Sequence, residues 1–173
     1  MKKISAVILC LVFVLTTGCT RSERFGLQEL SRRLENHDER FGFDLAGAYL
    51  SDSYYHIPIS MRQSEDLLLS CKEDADGRLL QILLTGEANT APKADFLALA
   101  NALTAEFFGV SIHKASEYTE QAGMTDETVL FTDHTGHADC GRYEFTFYST
   151  PQSITAMLTY DDSVVAERDT TEN

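Results

Sequence analysis

Residues 133–140 read DHTGHADC, and they hold two histidines, two aspartates and a cysteine within eight positions. Imidazole, carboxylate and thiolate all ligate zinc, so His134, His137, Asp139 and Cys140 could supply several ligands from one segment. A closed tetrahedral site usually draws on two such segments, and the other histidines, His37, His56 and His113, stand alone in the sequence. A cysteine nucleophile at Cys140 would need a base brought from elsewhere, since catalytic pairs usually come from separate parts of a chain. Gly136 and Gly141, alternating with Asp133 and Asp139, are ordinary loop chemistry. DHTGHADC is therefore expected to be a polar loop before a strand. The same four residues stand as the candidates for a metal- or thiol-dependent site.

Elsewhere the catalytic signatures are missing. The sequence has no G-x-S-x-G, no H-E-x-x-H and no phosphate-binding glycine loop, and no motif calls for a cofactor. The segment KEDADGRLLQIL, from Lys72 to Leu83, faintly resembles a calcium loop. Setting Gly77 at the invariant glycine puts Lys72 at the first ligand position and Leu83 where a bidentate glutamate belongs, so the segment reads as a turn. Tyr143, Phe145, Phe147 and Tyr148 sit at strand spacing, which suits core on one face and an exposed ring on the other.

The N-terminus bounds where the chain works. Lys2 and Lys3 precede an unbroken run of 12 apolar or small residues from Ile4 to Leu15. That run is too short for a transmembrane helix, which needs about 20 residues, and it suits the apolar region of a secretory signal. Thr16, Thr17 and Gly18 follow, then Cys19. LTTGC resembles the lipobox of bacterial lipoproteins, with Thr16 standing where a branched apolar residue is commoner. The resemblance covers about the first 20 residues and implies cleavage after Gly18 and a lipid on Cys19. Residues 1–18 would be the signal peptide and 19–24 the anchor and tether. Residues 25–161 would form one domain, and 162–173 a disordered acidic tail. Two acyl chains on one cysteine give stable attachment. The protein is then expected on the outer side of a cell membrane, with the membrane as its first partner.

With Cys10 lost in the signal and Cys19 lipidated, Cys71 and Cys140 remain, in an oxidising compartment where they could form a disulfide. Cys71 equally suits a small buried apolar role, because it shares a strand face with Leu67 and Leu69.

Charge excludes one class of partner. After position 18 there are 12 basic and 27 acidic residues. Residues 20–40 balance, so the whole excess lies in residues 41–173. Such a field repels phosphate backbones, and no nucleic-acid partner is expected.

The elements that would position any site are legible from periodicity. Leu27, Leu30 and Leu34 mark a helix over 25–39. Phe96, Leu99, Ala100, Leu103 and Phe107 mark a stronger one over 92–108, with Pro92 in its first turn and Gly109 at its end. Period-two alternation predicts strands around residues 55–59, 67–71, 80–84, 129–131, 143–147 and 154–160. Residues 111–127 fit either a short helix or a loop. Hairpin-length connections imply antiparallel pairing. The expected fold is α+β, an antiparallel sheet of about six strands packed by two main helices. The order helix, three strands, helix, three strands suggests a duplicated αβββ unit. Leu68, Met157 and Tyr148 point away from the helices and would make that face a shallow contact surface. The leading function is a non-enzymatic module that binds or regulates a protein or small ligand. The alternative is an enzyme built on His134, His137, Asp139 and Cys140.

Overall fold

The computed structural model describes residues 24–61, 64–87, 91, 93–125 and 133–162. The expected signal peptide, the expected lipid site at Cys19, the expected strand at 129–131 and the expected tail beyond Asp162 lie outside them. The chain is α+β. Helix α1 (Leu27–Glu35) is followed by single 3-10 turns at Glu39–Phe41 and Leu45–Gly47. Strands β1 (Tyr49–Ser51), β2 (Tyr54–Met61), β3 (Ser64–Glu73) and β4 (Leu79–Glu87) come next. Helices α2 (Lys93–Phe108) and α3 (Ile112–Gln121) then lead to β5 (His134–Cys140), β6 (Tyr143–Ser149) and β7 (Ser153–Tyr160). All seven strands form one antiparallel sheet in the order β1-β2-β3-β4-β7-β6-β5. The two three-stranded meanders, β2-β3-β4 and β5-β6-β7, join last strand to last strand. Apart from the short edge strand β1, the order is thus symmetrical about the β4–β7 seam.

Two elements differ from expectation and one left open is settled. DHTGHADC is largely strand, not loop: His134–Cys140 pairs along its whole length with β6. Residues 112–121 settle as helix, with the Ser111 side chain capping the N-terminus by accepting from the Lys114 N–H. The three-residue edge strand β1 was not foreseen. A smaller correction concerns β4. A bulge between Lys72 and Glu73 shifts the register, so Leu79 is buried where Leu80 was expected.

The described helices lie on one face. The row Ile57, Leu69, Leu84, Ala156 and Phe147 is paired strand to strand across the sheet and is buried throughout. Above it, Phe96, Leu99, Leu103 and Phe107 of α2 are buried against the same core. Alanines at 100, 102 and 105 are buried too, and they let the helix lie close to the strands. Helix α1 docks beside α2. Ser31 Oγ donates to the Phe43 carbonyl at 3.0 Å and accepts from its N–H at 3.1 Å. Glu106 of α2 receives both Arg33 at 3.4 Å and His37 Nε2 at 2.7 Å. No single helix among the described residues is long and apolar enough to cross a membrane.

Leu84 sits fully buried at the seam opposite Ala156. Leu84→Ala is expected to cost about 2–5 kcal/mol through lost transfer energy and a residual cavity, as measured by denaturant unfolding.

Candidate functional site: an open sheet face and an end groove

The period of two decides what becomes of the DHTGHADC cluster. Along β5, burial alternates, with Ala138 and Cys140 buried toward the helices and His137 and Asp139 exposed on the other side. His134 shares the helix side. Its Nε2 meets the Ala122 carbonyl at the end of α3, 3.0 Å away. The four candidate ligands are therefore split between two faces. Among the described residues no group of three or more His, Cys, Asp or Glu could hold a metal ion. The histidine instead closes the edge of the sheet onto α3. Gly136 is required for the same closure, because a Cβ there would lie 2.2 Å from the Ala122 carbonyl oxygen. Despite its loop-like neighbours in the sequence, this glycine is a close-packing device inside a strand.

The cysteines are also separated. Cys71 on β3 and Cys140 on β5 have β4, β7 and β6 between them. Four strand spacings amount to roughly 19 Å, whereas bonded cysteines have Cα atoms within about 7 Å. The expected Cys71–Cys140 disulfide does not form. Cys71 is a free thiol, fully buried beside Ile82, and burial together with the nearby Glu73 charge pushes its pKa far up. Cys140 is itself disulfide-bonded.

The face away from the helices is built from two complete cross-strand rows. One runs His56, Ser70, Leu83, Met157, Thr146, His137. The next runs Pro58, Leu68, Thr85, Thr155, Tyr148, Thr135. Neither row contains a lysine, arginine, aspartate or glutamate, in a chain with 27 acidic residues. Leu68, Leu83 and Met157 are half-buried neighbours near the centre, and Tyr148 is 39 % exposed beside them. Charge returns in the flanking rows, at Lys72, Glu144 and Asp139 on one side and at exposed Glu87 on the other. In the row of Lys72, Gln81 accepts from the Tyr54 hydroxyl and donates to Thr159 Oγ1 at 3.3 Å. His56 is fixed on this face by Ser70 Oγ at 2.9 Å and by a stacked Tyr49 ring 5.1 Å away.

A second feature lies at one end of the sheet on the helix side. A groove of about 660 Å³ is lined by Gly26, Leu27, Leu45, Leu50, Tyr55 and Glu73, among others. It owes its shape to how α1 begins. Gly26 offers no side-chain cap, and Glu73 Oε1 from β3 accepts from the Leu27 N–H at 2.7 Å instead. A Cβ on Gly26 would approach the Gly77 carbonyl oxygen to 2.5 Å. Arg24, just before it, pairs with Asp74 at 2.7 Å and lies over the Tyr160 ring at 4.3 Å. The first described residues are thus pinned to the β3–β4 hairpin and to the end of β7.

No family model, curated protein or solved structure matches the chain.

The buried, high-pKa thiol of Cys71 should resist iodoacetamide in the folded protein at neutral pH and react once guanidinium unfolds it. Labelling of native Cys71 at the rate of a free thiol would contradict its placement. Gly136→Ala should destabilise the fold by about 1–3 kcal/mol, because the obstructing atom is backbone.

Proposed function

We propose that this chain is an exported, non-enzymatic binding module, held at the outer face of a bacterial membrane by lipid on Cys19, whose open sheet face contacts another protein. The observation that carries the binding reading is the pair of charge-free rows around Leu68, Leu83 and Met157. A long-lived solvent face in so acidic a chain would be expected to share the acidic residues that keep it soluble. These rows instead leave apolar groups and hydroxyls side by side, the mixture found at non-obligate protein interfaces. The face is a broad sheet surface rather than a concave pocket, which favours a macromolecule over a small ligand.

Anchoring is supported by the sequence: Lys2 and Lys3, the short apolar run and the LTTGC junction. One observation favours a second reading of that cysteine. Cys140 is disulfide-bonded and Cys71 is free, while the sequence holds only two further cysteines, Cys10 and Cys19. A sulfur in thioether linkage to diacylglycerol cannot also enter a disulfide. If Cys19 is the sulfur bonded to Cys140, it carries no lipid and the chain is exported without an anchor. The binding face is the same in both readings.

Intact mass of the protein taken from cells separates the two. The anchored form carries the mass of the acylglyceryl group on residue 19. The unanchored form lacks it, and gains two hydrogens on reduction. For the face itself, a photo-crosslinking residue at Met157 should give a discrete adduct in cells, and Leu83→Glu should abolish it. The same residue placed at Ile112, exposed on α3, should give none. Equal crosslinking from both positions, or insensitivity to Leu83→Glu, would defeat the assignment.

A further inference from the structure

The groove lies at the end of the domain where the chain enters, and the length of the chain before it says what it faces. Five residue steps separate Cys19 from Arg24. Fully extended, they reach about 18 Å. Strand β3 alone has ten residues, or roughly 33 Å along its axis. Arg24 is held by Asp74, by the Leu79 carbonyl and by Asp162. Those residues flank the β3–β4 hairpin and the end of β7. The β1–β2 turn at Asp52 and Ser53 and the β5–β6 turn at Gly141 and Arg142 occupy the same end of the sheet, because every pairing is antiparallel. A tether shorter than the strands obliges this end, and not the opposite one, to stand against the membrane.

That end carries the largest exposed apolar side chain of the groove. Leu50 is 65 % exposed and Tyr55, its cross-strand partner, is 37 % exposed. Both line the groove together with Gly26, two residues past the end of the tether. We infer that the β1–β2 hairpin is a membrane-contact element, with Leu50 and Tyr55 entering the interfacial layer of the bilayer to which Cys19 is anchored. A leucine beside a tyrosine suits that layer, since the aliphatic chain can leave water while the phenol remains at headgroup depth. The inference rests on the lipid-anchor reading and adds an orientation to it: the groove faces the bilayer and the open sheet face stands perpendicular to it, free for a partner. Asp52, Asp76 and Asp162 are exposed at the same end, so the contact suits zwitterionic rather than anionic lipid.

The chain has no tryptophan, so a single introduced one reports alone. Full-length protein carrying Leu50→Trp, Tyr55→Trp or Tyr148→Trp would be purified from bacterial membranes. Each would be confirmed by mass to bear lipid on Cys19, then reconstituted into phosphatidylcholine vesicles with brominated acyl chains. Leu50→Trp and Tyr55→Trp should show blue-shifted emission, quenched about twofold by the bromines, while Tyr148→Trp should keep a water-like spectrum. Two groove positions guard against one variant failing to fold. Lipidated protein in which neither groove position is quenched more than Tyr148→Trp would overturn the orientation and leave the anchor standing. Protein without lipid at residue 19 would overturn both.

Discussion

The β4–β7 ladder is the contact on which the rest of the molecule depends. From Gln81 to Glu87 the last strand of one meander pairs continuously with the last strand of the other, residues 153–159. Without it there would be a four-stranded sheet and a three-stranded one, each with an exposed edge where the seam now runs and half a helix layer to cover it. With it there is one seven-stranded surface whose edges, among the described residues, are β1 and β5. Both edges are managed. β1 is three residues long, and β5 carries exposed His137 and Asp139 and is clasped to α3 through His134.

The same ladder sorts residues by parity. Ile82, Leu84 and their partners Leu158 and Ala156 go to the helices; Leu83 and its partner Met157 go to the open side. A one-residue slip would exchange the two sets, burying threonines and exposing the core. The charge-free rows and the packed core are thus two consequences of one register. The contact surface proposed for a partner is as firmly specified as the interior.

Much of this was legible in the sequence where side chains alternate strongly. Residues 55–59, 67–71, 143–147 and 154–160 gave both the strands and their faces, and the alanine-rich stretch up to Phe108 gave α2. Leu68, Met157 and Tyr148 were correctly placed on the second face. β5 was missed because its inward positions are Gly136, Ala138 and Cys140, too small to produce an apolar rhythm. They are small because α3 presses on them, a tertiary fact that local pattern cannot carry. α3 itself buries Ala115 and Thr119 rather than a leucine stripe. The cysteine pairing failed for a different reason: strand order, which places four strand spacings between Cys71 and Cys140, cannot be read from periodicity. The candidate site was legible only in part. The cluster DHTGHADC drew attention by composition, yet alternation divides it, whereas the uniform absence of charge along two rows appears only once the registers are known.

Amide hydrogen exchange on the folded protein tests the central claim, that one continuous sheet is locked at its middle. The slowest amides should be those of residues 82–85 on β4 and 155–158 on β7, exchanging together and only through global unfolding. If the β5–β7 meander instead lost its protection well before β2–β4, or the reverse, the two halves would be separate units. The shared open face and the register that creates it would then have no common origin.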